Sequence, residues 1–337
     1  MISPQAVRLI VRHFDAVDQA VSKRTTRKRP WLEPGITSYL CDLMDDETQV
    51  EESLAYTIAD LNRDLAGLDG LLDLTLSVQT HEYPPQLERF VTQADLGFII
   101  RIEDHLLPQE SRSVPWLLQA KRFQPDSRNP LRYSETSRVG AIDARQHERM
   151  RQLSDVLGHN VVRYIFYGPR PEFLDDVTRQ KLLHLRRRHL GQQIFDYTLG
   201  LELHAEVDRA ESTLAAGIFI AGLDRAHSSL GEIHRFAFAS TLPLSWFIVA
   251  HFFSSGPGTN FGFDKGLHRE GREPRSGDPD LARGVVTGDL DAISRLLNLL
   301  GDNDQGRWPV LPQHTIEVRL GVGTRLNPDQ RRIRIEG

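Results

Sequence analysis

Two apolar segments within residues 94–123 constrain this sequence most, because polar residues stand where the two segments would meet in a sheet. The first, ADLGFIIRI, is rich in β-branched and aromatic residues and begins near Asp95. The second, VPWLLQAKRF, ends in Gln119, Ala120 and Lys121. Both patterns predict β-strands joined by a polar connection. Since side chains alternate across a strand, Gln119 and Lys121 are predicted to share one face, opposite Asp95 on the neighbouring strand.

An acid, an amide and an amine in this arrangement suit a divalent cation bound beside a phosphate. Hard cations such as Mg²⁺ take oxygen ligands from carboxylates, side-chain amides, backbone carbonyls and water. The amine of Lys121 would position or deprotonate an attacking water, or offset negative charge that builds on the phosphate.

Asp95 followed by the triplet Gln119-Ala120-Lys121 resembles the core of the PD-(D/E)XK nuclease superfamily. The most similar variant is the Mrr-like one, in which glutamine replaces the usual acid of the triplet. The resemblance implies a restriction-endonuclease-like fold, with an α/β/α core built on a mixed central sheet.

The family also places a glutamate on a helix before the core strands. WLEPGITSYLCDLM offers Glu33 at that place, just ahead of an isoleucine, a threonine and an amphipathic run. The sequence departs from the family pattern at Ala94, where relatives have proline, and at Gln119, which lowers the negative charge at the metal. The resemblance covers about residues 30 to 170.

The resemblance implies a Mg²⁺-dependent phosphodiesterase, an endonuclease that hydrolyses DNA, with RNA left open as a substrate and Mn²⁺ as a substitute metal. Asp95 would be the central metal ligand, and Gln119 and the carbonyl of Ala120 would supply further oxygens. Glu33 would bind a second metal or a metal-held water. Lys121 would orient the water and stabilise the phosphate in the transition state.

Five further residues are candidates for supporting roles. Gln146, in the helix predicted after the two strands, loosely matches a glutamine that many relatives place near the metal; its other interpretation is a polar residue on a partly exposed face. Arg27, Lys28 and Arg29 stand before the predicted glutamate helix, and Arg122 follows the triplet. They are predicted DNA-phosphate contacts, with a solvated surface as the alternative.

Composition limits the class of protein. The 337 residues are 39% hydrophobic and 26% charged, ordinary values for a globular protein with a large core. The net charge of -5 argues against a mainly electrostatic nucleic-acid coat protein.

The lone cysteine, Cys41, lies in an apolar helical run and is predicted to be buried. A single cysteine fits a reducing cytoplasm. No signal peptide and no apolar stretch of about 18 to 20 residues is visible, so no membrane partner is expected.

The predicted organisation is an N-terminal helix and basic linker at 1–29, a nuclease core at 30–210 and a C-terminal α+β extension at 211–337, which is either separate or part of the same domain. A three-stranded hairpin or meander is expected to carry the site, followed by a helix that crosses to a fourth strand. The basic run at 186–189 is predicted to be a solvated helix face or a DNA contact. The other predicted helices begin at Ser3-Pro4 and near residues 33, 50, 140 and 177, and a further amphipathic helix is predicted around ISRLLNLL within 281–300. Strands are predicted at 161–168, 214–223, 233–241 and 314–324, and a buried helix or strand at 243–253.

Three functions remain open from the sequence. The first is a restriction or phage-defence endonuclease, in which a homodimer would supply one site for each DNA strand. The second is a nuclease-fold scaffold that has lost catalysis and binds nucleic acid or protein, which Gln119 favours. The third is an unrelated α/β protein, in which Glu33, Asp95, Gln119 and Lys121 would not meet in space.

Overall fold

A computed structural model describes most of the chain, in segments that include the residues of the candidate site. The described residues are 2–51, 54–68, 72–82, 95–126, 132–140, 142, 144–157, 161–190, 216–223, 227–253, 278–301, 312 and 314–324.

The described chain begins with three helices and three strands and continues with helices and strands that mostly alternate. The helices are α1 Pro4–Thr25, α2 Glu33–Met44, α3 Ile58–Ala66, α4 Ala144–Leu157, α5 Asp176–Leu190, α6 Leu230–Arg235, α7 Leu244–Phe253, α8 Pro279–Thr287 and α9 Leu290–Leu300. The strands are β1 Leu72–Glu82, β2 Leu96–Asp104, β3 Arg112–Arg122, β4 Val162–Tyr167, β5 Ile218–Ala221, β6 Thr241–Pro243 and β7 His314–Thr324. Short 3₁₀ helices cover Thr48–Glu51, Pro108–Glu110 and Pro171–Phe173.

One mixed sheet contains the seven strands in the order β1-β7-β2-β3-β4-β5-β6. β2 and β3 are antiparallel, with Leu96 opposite Leu118. β3 and β4 are parallel, with Gln119 opposite Tyr164, and α4 lies between them in sequence. These findings confirm the α/β class and the predicted crossover from the strand pair to a fourth strand.

The predicted three-stranded meander is wrong at its first strand. β1 pairs with β7 in antiparallel fashion, and β7 in turn pairs with β2 in parallel. The last described strand therefore lies between the first two. It comes from the segment predicted as a C-terminal extension, so that segment contributes directly to the sheet that carries the site.

Helices cover both faces of the sheet. Trp116 of β3 contacts Phe247 of α7, with ring centroids 5.2 Å apart, and α7 packs on α1, which also contacts α2 and α3. Gln119 and Lys121 point to the opposite face, where they meet Gln146 of α4. α8 and α9 pack with α4 on that side. The resulting three layers bury a continuous apolar core on each face of the sheet.

The first helix begins and packs as its sequence predicts. Ser3 accepts a hydrogen bond at its Oγ from the Ala6 N–H, 3.2 Å away, and Pro4 occupies the first helical position. The apolar stripe is buried, with Phe14 at its centre. Cys41 of α2 is also buried, as predicted.

Two other predicted elements differ from the structure. The helix predicted from residue 50 begins only at Ile58, because Thr57 and Asp60 form a capping box there. The amphipathic helix predicted around ISRLLNLL is present as α9, and the separate helix α8 precedes it and ends where Gly288 adopts a left-handed φ of 81°. The strand predicted over 233–241 begins instead as α6, which is initiated by a capping box between Ser229 and Glu232.

Candidate active site

Asp95 lies at the end of the β2–β3 ladder, one residue before β2. Its N–H donates to the carbonyl of Leu118 at 3.0 Å, so the antiparallel pairing continues one step beyond the strand. Its Oδ2 accepts hydrogen bonds from the Ala120 N–H, at 2.8 Å, and from Nε2 of Gln119. The register thus places the carboxylate beside the predicted triplet.

Gln119 and Lys121 share one face of β3 and meet the same residue of α4. Gln146 donates from Nε2 to Oε1 of Gln119 at 2.9 Å and accepts at its own Oε1 from Nζ of Lys121, also at 2.9 Å. Gln119 is 4% exposed and Lys121 8%. We call Asp95, Gln119, Gln146 and Lys121 the amide network, because two side-chain amides connect its acid to its amine.

Glu33 reaches the same end of β3 from the other face of the sheet. It is the first residue of α2, where the partial positive charge of the helix N-terminus favours a carboxylate. Its Oε1 accepts from the N–H of Arg122 at 2.8 Å, one residue beyond Lys121. The structure therefore brings Asp95, Gln119, Lys121 and Gln146 together in one network, and places Glu33 at the neighbouring residue of β3, so that four separate segments supply the five residues.

A buried hydroxyl pair supports Glu33, and the sequence interpretation missed its tyrosine. Thr37 donates from Oγ1 to the carbonyl of Glu33 at 3.0 Å, and the hydroxyl of Tyr167 lies 3.1 Å from the same Oγ1. Burial raises the pKa of Tyr167, and the negative charges of Asp95 and Glu33 also raise it, so the phenol stays protonated. A polar residue at the end of the apolar run VVRYIFYG was the available signal.

A second missed pair stands beside the amide network. Nδ1 of His147 lies 2.9 Å from the hydroxyl of Tyr164, and the two rings are stacked. Tyr164 is the register neighbour of Gln119 on β4, and His147 follows Gln146 on α4. Burial raises the pKa of Tyr164 to about 12. This contact fixes the turn of α4 that carries Gln146 against the sheet.

The predicted DNA contacts differ in exposure. Arg27, Lys28 and Arg29 are exposed in the connection between α1 and α2, immediately before Glu33. Arg122 is only 8% exposed, and its Nη2 donates to Oε1 of Gln124 at 2.9 Å. The first three side chains are therefore open to solvent, with the Arg27 guanidinium 6.0 Å from the ring centroid of Trp31, whereas Arg122 is buried against its partner.

An aromatic and cationic cluster joins the end of α1, this connection and α2. The guanidinium of Arg24 lies 4.1 Å from the ring centroid of Tyr39 and 4.6 Å from that of Trp31. Trp31 and Tyr39 themselves meet edge to face, with centroids 5.5 Å apart. These contacts hold the start of α2, and so position Glu33, relative to the end of α1.

The donor set suits Mg²⁺ only if substrate oxygens and water complete the shell. Among the described residues, no group of three or more His, Cys, Asp and Glu side chains is placed to hold a metal ion. Glu33 and Asp95 supply two carboxylates, and the amide of Gln119 and the carbonyl of Ala120 supply neutral oxygens. Mg²⁺ is commonly held by one or two carboxylates together with substrate phosphates, so these residues fit such an ion.

Comparison with known proteins identified no relative of this chain. No family model matches the chain, and neither a curated protein nor a solved structure matches it at a significant level. Within the described residues, no helix combines the length and the apolar character needed to cross a bilayer.

Proposed function

We propose that this chain is a metal-dependent endonuclease that hydrolyses DNA phosphodiester bonds, with a restriction-endonuclease-like core. The observation that carries the proposal is the amide network: an acid before one strand, an amide and an amine on the next, and a glutamine on the following helix meet within hydrogen-bonding distance. The carboxylate of Glu33 adjoins them through the backbone of β3. The proposal rests on this convergence of an acid, two amides and an amine at one end of a strand pair.

Each residue of the site has a distinct role in the proposal. Asp95 and Glu33 hold the metal, with Gln119 and the Ala120 carbonyl as further oxygen donors. The bound ion supplies Lewis-acid polarisation of the phosphate and a more acidic water. Lys121 presents an ammonium to the charge that develops on the phosphate oxygens, in a site where exclusion of water strengthens that interaction.

The substrate binds, in this proposal, across the connection between α1 and α2. Arg27, Lys28 and Arg29 form a local basic surface beside Glu33, on a chain whose net charge is -5. A phosphate backbone is the partner that such a surface attracts. RNA remains an alternative substrate. The homodimer, the cytoplasmic location and the restriction or defence role also remain predictions.

A cleavage assay tests the proposal. Supercoiled plasmid, single-stranded DNA and RNA are incubated with the protein in Mg²⁺, Mn²⁺ or EDTA. We expect metal-dependent nicking or linearisation, and a loss of about 10²- to 10³-fold in Lys121→Met, the scale for one lost transition-state contact. Lys181→Met is the matched control, because that lysine is exposed and pairs with Glu135 at the surface. Equal cleavage by Lys121→Met and the parent would contradict the assignment.

The scaffold function has one specific observation in its favour. Oδ2 of Asp95 already accepts from Nε2 of Gln119 and from the Ala120 N–H, so the network satisfies this oxygen without a cation. A scaffold of this kind would bind DNA equally well in EDTA and would cut no substrate. Metal-independent binding with no cleavage would therefore replace the endonuclease by the scaffold.

A further inference from the structure

The hydrogen bonds of the amide network all run in one direction. Lys121 donates to Gln146, Gln146 donates to Gln119, and Gln119 donates to Asp95. Each amide thus presents its oxygen toward the lysine and its nitrogen toward the aspartate. The three contacts connect a cation to an anion through two groups that can each reverse by a half-turn about the last side-chain bond.

A divalent cation at Asp95 is incompatible with this direction. An amide ligates a hard cation through oxygen, so Gln119 would have to turn its Oε1 toward the ion and its Nε2 toward Gln146. Two amide nitrogens cannot share a hydrogen bond, because both are donors. Gln146 would then have to present its oxygen to Gln119, and its nitrogen would face the ammonium of Lys121. That last contact is again donor to donor and cannot persist.

We infer that cation binding at Asp95 reverses both amides and releases Lys121 from Gln146. Gln146 is then a positioning residue: it holds the amine against α4 before the metal binds and frees it for a phosphate afterwards. This inference rests on the proposed function, since it assigns the order in which the same site is assembled. In this order, binding of the metal, and not of the substrate, frees the amine of Lys121 to contact a phosphate.

The reactivity of Lys121 toward formaldehyde and a hydride reductant tests the inference without any nucleic acid. The methylated peptide is quantified by mass spectrometry, with and without Mn²⁺, and calorimetry follows Mn²⁺ binding in parallel. The parent is compared with Gln146→Met, which removes both amide atoms at similar volume. Gln152→Met is the control, because Gln152 is an exposed residue of the same helix and its Oε1 accepts from Arg149.

In the parent we expect Mn²⁺ to raise Lys121 methylation about tenfold, the scale of one lost charge-assisted hydrogen bond. Gln146→Met should be as reactive without metal as the parent is with it, and should change little on adding Mn²⁺. Gln152→Met should behave as the parent.

Two results overturn the inference in distinguishable ways. In the first, Mn²⁺ binds and plasmid is cut, but Mn²⁺ either leaves Lys121 methylation in the parent unchanged or raises it by the same factor in Gln146→Met. This result would refute the coupling between cation binding and the release of Lys121, and the nuclease proposal would stand. A metal acting only through its charge would give that equal response. If calorimetry detects no Mn²⁺ binding and no substrate is cut, the coupling and the nuclease both fail.

Discussion

Replacement of Asp18 by alanine is expected to destabilise the whole described fold. Asp18 lies on α1 and is 1% exposed. Its carboxylate accepts from the N–H groups of Gly217, at 2.9 Å, and Ile218, at 2.8 Å, which lead into β5. Nη1 of Arg170, also buried, stands 3.5 Å away. The side chain of Asp18 therefore connects the three segments predicted from the sequence, which are the N-terminal helix and linker, the core and the C-terminal extension.

The size of the effect follows from what the substitution leaves behind. Asp18→Ala removes one of the acids that offset the buried guanidinium of Arg170, which keeps Glu172 at 3.2 Å, so this part of the loss falls below the roughly 3 to 5 kcal/mol of a fully unpaired buried charge. It also leaves two buried N–H groups without this acceptor, at about 1 to 3 kcal/mol each if nothing replaces it. Asp18→Asn retains an acceptor oxygen but no charge, so its effect should be intermediate. The expected loss for Asp18→Ala is thus at least about 3 kcal/mol.

Urea unfolding, followed by circular dichroism and tryptophan fluorescence, measures this loss. With a slope of about 3 kcal/mol per molar urea, the midpoint should fall by at least about 1 M. Asp155→Ala, on the exposed surface of α4, should stay within about 0.5 kcal/mol of the parent. If Asp18→Ala lost less than about 1 kcal/mol, the carboxylate would not hold these segments together and the reasoning would be refuted.

Three further predictions concern buried positions. Gly97→Ala should cost about 1 to 3 kcal/mol, seen as a lower thermal midpoint, because its Cβ would lie 2.5 Å from Oγ1 of Thr315; an unchanged midpoint would show that β7 can move. Burial lowers the pKa of His13 from 6.5 to about 4, so the unfolded chain binds more protons between these values. The His13 contribution to stability should be complete above pH 6.5 and fall by about 3 kcal/mol as the pH drops through 4. His13→Gln should remove this share of the pH dependence in urea titrations, whereas His234 and His251, whose pKa values burial also lowers, should keep theirs. Burial also raises the pKa of Cys41, so a thiol reagent should label it only in urea; rapid labelling of the native protein would contradict the burial.

More of the site than of the sheet could be predicted, because most of the site residues lie on elements that follow one another in sequence. Asp95 and Gln119 stand on consecutive strands, and an antiparallel pair fixes which residues face each other. Strand alternation then places Lys121 beside Gln119, and the next helix in sequence carries Gln146. Short-range rules were sufficient for these placements. Their catalytic roles stay predictions.

Long-range pairing could not be predicted in the same way. β7 reads clearly as a strand, but nothing in its residues says that it lies between β1 and β2. Any strand with apolar alternation would satisfy the same hydrogen bonds, so sequence pattern specifies a strand and not its neighbour.

Charge was also a poor guide to exposure. Arg186 stands in a basic run predicted to be a solvated face or a DNA contact, yet it is fully buried. Its Nη2 donates to the carbonyl of Ala216 at 3.1 Å, and its guanidinium lies 5.0 Å from the ring centroid of Phe219. Burial lowers its pKa to about 9. The acids that offset such a charge come from α1, more than a hundred residues earlier, so a local window could not identify them.

The position of β7 has a consequence during protein synthesis. β2 ends at Asp104 and β7 begins at His314. At about 5 to 20 residues per second, a ribosome needs roughly 10 to 40 s to translate the intervening segment. Throughout that interval the nascent β1 and β2 lack their shared neighbour, and the unpaired edges are open to other chains. A chaperone that shields strand edges on the ribosome should therefore raise the yield of folded protein, and the chain would acquire its complete sheet only late in translation.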